Sequence, residues 1–232
     1  MCGRYSLHTE PARLTDRFGV DFGEFEPRYN CAPGQELPVV TDGGECRRME
    51  WGFTPSWADE SFDLINARAE TVAEKRSFAD AYESRRCLVP ATGFYEWTET
   101  GAGKQPHRVA FEDDRPFAMA GIYERWQPPT RQAGLADFGA DGTDVDDDPI
   151  ETFAVVTTEP NDLVADLHHR MAVILPPERE ADWLSGADES TLFEPYDDTG
   201  MHAYPVSTAV NSPANDDPSL LEPTETGERA SD

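Results

Sequence analysis

Short apolar runs, each stopped within a few residues by glycine, proline or an acidic turn, recur along this chain and leave little room for long helices. Pro38 to Thr41, the turn Asp42-Gly43-Gly44 and a return to Trp51 predict a hairpin. Phe62-Asp63-Leu64-Ile65 reads as a short strand running into Asn66-Ala67-Arg68-Ala69-Glu70-Thr71, with a helical stretch after it to about Tyr82. Further strands are expected at Arg86 to Val89, Gly93 to Trp97, Phe153 to Thr157, Val173 to Leu175 and Tyr204 to Ser207. His107 to Phe111 and Phe117 to Tyr123 read as another pair, joined at the turn Asp113-Asp114. The expected helices are brief. They run from Thr9 to Phe18, capped by Thr9 and ended by Gly19, from Asn161 to His168, and from Glu178 to Leu184 with Trp183 inward. With no internal repeat, this arrangement predicts a mostly antiparallel α+β fold and not a doubly wound sheet.

The 232 residues suffice for a substantial core, and they carry 46 acidic against 19 basic side chains, a formal charge of −27. Two of the basic residues, Lys75 and Lys104, are lysines and the rest are arginines. Such an excess suggests a surface adapted to concentrated salt, where self-repulsion is screened. It excludes ordinary electrostatic capture of nucleic acid, so any anion site must be a local arginine cluster. No apolar run approaches a membrane span and no signal-peptide core is present, which places the protein in the cytoplasm. Cys2, Cys31, Cys46 and Cys87 show no CxxC spacing, favouring reduced thiols over a disulfide framework or a metal site. Residues 127–150, rich in Gly, Pro and acid, read as an exposed acidic insertion.

Chemistry concentrates at the amino terminus, Met1-Cys2-Gly3-Arg4-Tyr5. Once Met1 is removed, Cys2 carries an α-amine that titrates near ~8 beside a thiol that titrates near ~8.5. A 1,2-aminothiol condenses with an aldehyde to an imine, and the thiol then closes a five-membered thiazolidine. The plainer alternative is a small residue following the initiator methionine. Glu96 lies among Phe94, Tyr95 and Trp97, where partial desolvation would raise its pKa into acid–base range; alternatively it faces water on a half-wet strand. His168 continues an apolar helical stripe with Val164 and Met171, as a catalytic group or as a satisfied core histidine. Asn66 could orient a reacting group without titrating, and Arg4, Arg68 and Arg170 are candidate anion contacts.

Taken in order, Met1-Cys2-Gly3-Arg4-Tyr5, Tyr29-Asn30-Cys31-Ala32-Pro33, Trp51-Gly52-Phe53, Asn66-Ala67-Arg68-Ala69-Glu70-Thr71 and Gly93-Phe94-Tyr95-Glu96-Trp97 form a specific series. Lys104-Gln105-Pro106, Ala118-Met119-Ala120-Gly121, His168-His169-Arg170-Met171 and Leu220-Leu221-Glu222-Pro223 continue it. The series resembles the SOS response-associated peptidase (SRAP) family, whose members sense abasic sites in DNA. One departure is Ala172, where a proline often follows the His-x-Arg-Met run. The resemblance implies a single SRAP-like domain over residues 2–223, built of barrel-like, mostly antiparallel β-sheets with short flanking helices, and a loose acidic tail at 224–232. It implies a monomer that binds single-stranded DNA and links covalently through Cys2 to the ring-opened aldehyde of an abasic site. Asn66 would position the amine, Glu96 would move protons and open the sugar, and His168 would assist the Schiff-base steps. Arg4, Asn30, Arg68 and Arg170 would hold flanking phosphates, and Trp57 would stack on a base. Neither a cofactor nor a metal is called for, and the peptidase label extends at most to removal of Met1.

Two other readings fit parts of the sequence. An N-terminal-nucleophile hydrolase would use Cys2 on acyl groups with its own amine as base, indifferent to DNA. A noncatalytic single-strand binding module would use Trp57 and the arginines in a salt-labile complex without covalent adduct.

Overall fold

A chain of brief apolar runs buries its surface by pairing them edge to edge, and here they assemble into two sheets. The computed structural model describes residues 2–101, 103–128, 148–187 and 191–224. The first strands are β1 (Tyr5–Leu7), β2 (Arg28–Cys31), β3 (Glu36–Thr41), β4 (Cys46–Trp51) and β5 (Asn66–Arg68). They are followed by β6 (Arg86–Ala91), β7 (Gly93–Thr100), β8 (Gly103–Phe111), β9 (Phe117–Trp126) and β10 (Ile150–Thr158). The short strands β11 (Met171–Ala172), β12 (Ile174–Leu175) and β13 (Met201–Pro205) complete the set.

One sheet, in the order β13-β8-β7-β1-β2, is antiparallel throughout. In the other, β10, β4, β3, β6 and β9 pair in succession, and β9 pairs with β10 as well, so these strands close on themselves. The expected barrel-like, antiparallel-rich architecture is therefore present, and closure removes most of the exposed strand edge. Parallel pairing is confined to β10, whose one edge carries first β4 and then β5. The hairpin expected around Asp42-Gly43-Gly44 is β3–β4.

Aromatic packing fastens the two sheets together. Tyr5 meets Trp51 at 5.2 Å between ring centroids, and Trp51 stacks on Phe153 at 6.2 Å, all three fully buried. The Trp51 indole N–H donates to the Ile65 carbonyl at 2.9 Å, which draws the chain entering β5 onto the same core. A smaller cluster of Tyr95, Val206, Val210 and Leu220 closes the far side of β7.

Several elements differ from expectation for local reasons. Helix α1 (Pro11–Phe18) starts after Thr9, because Pro11 supplies the first-turn geometry; Glu10 is the cap residue and makes no side-chain capping bond. Gly19 ends it in a left-handed conformation, φ 70°. Phe62 to Ile65 is not a strand: Asp63 takes a left-handed φ of 49°, Leu64 makes an isolated antiparallel bridge with Phe53, and the strand itself begins at Asn66. The stretch leading to Tyr82 is mostly consecutive turns, with helix α2 confined to Ala79–Ser84. Buried Val72 and Phe78 are six residues apart, a spacing one straight helix would not bring to one face.

β8 and β9 are not a pair, since each finds its partners in a different sheet, and Phe111 packs edge-on against Phe117 where the chain crosses between them. Helix α3 (Asp162–Ala165) is capped by Asn161, whose Oδ1 accepts from the Val164 N–H at 2.9 Å, and stops short of His168. Helix α4 (Glu180–Ser185) follows a 3-10 turn at Pro177–Arg179 and buries Trp183. The expected strand at Val173 to Leu175 is reduced to β12, with Val173 lying between it and β11, and the last strand ends at Pro205. The acidic stretch at 127–150 lies largely outside the described residues, as does nearly all of 224–232. No helix among the described residues is long and apolar enough to cross a membrane.

Gly121 on β9 tests the closure. A Cβ there would stand 2.8 Å from Val89 Cγ2 and 2.9 Å from Cys87 Sγ, both in the core and unable to retreat far. Gly121→Ala is expected to lower stability by about 1–3 kcal/mol through overpacking. Chemical denaturation checks this, and an unchanged midpoint would mean that the strands here yield.

Candidate active site at the amino terminus

The antiparallel register Tyr5↔Phe94 and Ser6↔Gly93 seats β1 on β7, and the Tyr95 N–H donates to the Arg4 carbonyl at 2.9 Å, which carries the pairing toward the terminus. Continued further, that register sets Glu96 across from Gly3, next to Cys2. Strand alternation aims Glu96 and Phe94 to one side and Tyr95 to the other, as their separate clusters show. Glu96 is 2% exposed. Burial pushes its carboxyl up to about 7, while the positive charge of the chain's amino terminus pulls the other way. The alternative of a wet-facing glutamate is thereby overturned.

Cys2 is fully buried, and burial, together with the neighbouring Glu96 charge, raises its thiol to about 12; the amino-terminal charge opposes this. From the other sheet comes Asn66, placed at the start of β5 by its parallel register with Val155 of β10. Its Nδ2 donates to the Cys2 carbonyl at 2.8 Å. Its Oδ1 is buried and accepts no hydrogen bond among the described residues, an acceptor held beside the Cys2 backbone. His168 lies past the end of α3, half-buried and stacked on His169 at 4.3 Å between ring centroids, so the core-histidine reading does not hold. Burial first, then the amino-terminal charge, lower its pKa. Cys2, Glu96 and His168 thus share one electrostatic neighbour, the chain's amino terminus.

The arginines divide into two kinds. Arg68 is exposed and lines a groove of about 690 Å³ with Asn66, Thr71, Glu74, Lys75 and Phe78. Arg4 is half-buried and donates to Asn30 Oδ1 at 2.9 Å and to the Val210 carbonyl at 3.0 Å. Asn30 is wholly buried, with Nδ2 donated to the carbonyls of Val210, Ser212 and Asn215, so the structure places it behind Arg4 and not against solvent. Arg170 is 9% exposed and engaged by Glu70 and the Thr157 carbonyl. Trp57 is 42% exposed, edge-on to Phe62 at 5.4 Å, with the Arg76 guanidinium 4.4 Å above its ring. Lys75, Glu70, Phe62 and Arg76 were given no role from sequence. Lys75 was conspicuous as one of two lysines, and Glu70 stands inside the Asn66 motif. No group of three or more His, Cys, Asp or Glu among the described residues is arranged to hold a metal ion.

A profile of the SOS response associated peptidase (SRAP) family matches residues 1–213. The chain belongs to the SRAP family. It is 38% identical to the abasic site processing protein YoqW of Bacillus subtilis over 96% of this chain and 99% of that one. It is 32% identical to the abasic site processing protein HMCES of Gallus gallus, over 98% and 79% of the two chains. It is 30% identical to the abasic site processing protein YedK of Escherichia coli, over 96% and 100%. A crystal structure of a Bacteroides thetaiotaomicron protein superposes with a TM-score of 0.80 at 28% identity, covering 97% of this chain and all of that one. The SRAP fold therefore accounts for both sheets and for the seam in which Cys2 sits.

The raised Glu96 pKa has a consequence for stability in this SRAP protein. Between the ordinary value of 4.5 and about 7 the native state holds a proton that the unfolded chain has released. Stability should therefore fall as pH rises through that window, by about 3 kcal/mol. Glu96→Gln, which cannot ionise, should lose this portion of the pH dependence in denaturant titrations at pH 4.5 to 8. Identical slopes in the two proteins would show that Glu96 ionises as a solvated carboxyl.

Proposed function

We propose that this protein captures abasic sites in single-stranded DNA through the amino group and thiol of Cys2, after Met1 is removed. The observation that carries the reading is the Asn66 amide bonded to the Cys2 carbonyl, with its second polar atom idle beside the cysteine and Glu96 close by. In this arrangement the freed amine adds to the aldehyde of the ring-opened sugar. Glu96, near half-protonated at neutral pH, gives its proton to the departing hydroxyl, and water leaves as the imine forms. The imine forms protonated at nitrogen; the carboxylate then takes the thiol proton as sulfur bonds to the imine carbon, and nitrogen takes back the C=N electron pair while keeping its one proton. The five-membered ring closes and Glu96 is ready for another transfer. A thiol raised to about 12 reacts poorly unaided, which is why a base beside it matters. His168 assists the imine steps.

Arg68 and Lys75 line the groove that leads from Asn66 and supply cationic contacts for flanking phosphates. The exposed Trp57 and Phe62 suit stacking with unpaired bases, which favours a single strand. The abasic site processing relatives support the substrate class. The acylating-hydrolase reading has no comparable observation behind it, and the peptidase action of the family is limited here to release of Met1.

Denaturing electrophoresis after mixing the protein with single-stranded DNA bearing one abasic site should show a heat-stable adduct. Cys2→Ala, or an uncleavable extension ahead of Cys2, should reduce the adduct to background while the circular dichroism spectrum stays the same. A heat-stable adduct formed by the blocked protein would falsify the amine as nucleophile.

A further inference from the structure

Glu70 follows β5 by two residues, and its carboxylate grips both terminal nitrogens of Arg170: Oε2 accepts from Nη2 at 2.9 Å, and Oε1 accepts from Nη1. The Glu70 side chain is 49% exposed, whereas that of Arg170 is nearly buried. The hydrogen bonds from Arg170 hold the Glu70 carboxyl below the usual range; burial opposes them, and the Arg68 charge adds to the lowering. Nη2 also donates to the Thr157 carbonyl on β10 at 2.5 Å, an oxygen that accepts from the Ala69 N–H at 2.9 Å as well. Both terminal nitrogens of the guanidinium are thus engaged by groups at the end of β5 and on β10, while its buried Nε makes no hydrogen bond among the described residues.

The backbone of Arg170 meets the His168 ring. Its N–H donates to Nδ1 at 3.0 Å, and its carbonyl lies 3.1 Å from the same nitrogen. In the Nε2–H tautomer of the neutral ring, Nδ1 accepts from this backbone N–H. If Nδ1 is protonated, the carbonyl is in place to accept from it. One residue therefore serves both protonation states of the ring, provided that the 168–170 segment stays where the guanidinium pins it.

We propose that Glu70 is a positioning residue that, through Arg170, fixes the orientation and tautomer of His168. The consequence for rate rests on the reading of His168 as an acid–base group in imine chemistry. The charges that face His168 are His169, stacked on it, the amino terminus and Arg170 itself, with Glu70 beyond.

The test uses the full-length protein and two readouts. Long-range nitrogen–proton NMR of the histidine rings without DNA should show His168 of the unaltered protein as the Nε2–H tautomer, titrating below the ordinary value. Glu70→Gln, which keeps shape but loses charge, should mix the tautomers and displace the titration. Glu70→Asp should restore part of the difference. Adduct formation should slow about tenfold in Glu70→Gln, a fraction of the ~10²–10⁴ that a placed acid–base group contributes, with a displaced pH profile. An unchanged His168 signal with a lowered melting temperature would overturn the proposal in favour of plain packing. Unchanged His168 with several-fold tighter reversible DNA binding would overturn it too, making Glu70 a competitor for phosphate. The expected ring spectra without adduct in any variant, the unaltered protein included, would uphold the positioning and refute the crosslinking chemistry.

Discussion

The seating of β1 between β2 and β7 is the constraint on which the rest of the site depends. A chain terminus is ordinarily loose, because few contacts repay its conformational entropy. Here three residues of strand, with Tyr5 locked into the Trp51 and Phe153 stack, hold Cys2 in a buried position. Everything chemical follows from that burial. It raises the thiol, it raises Glu96, and it leaves the Cys2 carbonyl to be met by the Asn66 amide.

The electrostatics are arranged locally and against the grain of the whole. A chain of charge −27 repels polyanions at long range, yet Arg4, Arg68, Arg170 and Lys75 stand around or behind one seam. The nearby acids do not cancel them uniformly. Burial raises Glu96 toward neutrality, and the Glu70 carboxylate is held chiefly by Arg170, although Arg68 also feels it. In such a layout recognition is short-ranged, and the covalent step under the proposed chemistry does not depend on long-range attraction.

How far the sequence could be read depends on whether the deciding partner was near in the chain. Glu96 was legible because strand alternation is strict and Phe94 stands two residues away. The β3–β4 hairpin was legible because its turn residues announce it. Asn66 was identified through its motif, but its bond to Cys2 crosses from one sheet to the other, and β5 is only three residues long. The resemblance implies that Asn30 and Arg170 hold phosphates, and the reason for their burial lies far off: Asn30 answers to the segment at 210–215, Arg170 to a carboxylate 100 residues earlier. Neither partner leaves a local trace in composition or periodicity. The separation of β8 from β9 was hidden for a similar reason, because adjacency in sequence suggested a hairpin that the two-sheet topology forbids.

β5 has no neighbour but β10, so Asn66 cannot take its place until the chain has been extended past Val155. Strands paired over such distances form late, since their loop-closure entropy must be met first. During synthesis the amino terminus therefore emerges long before its enclosure exists, and β7, which covers it, is itself made well ahead of β10. In that interval Cys2 is uncovered, and it is shut away once the ring of strands closes. The order in which the chain is made thus separates a state in which the amino-terminal cysteine lies open from the one in which it is enclosed.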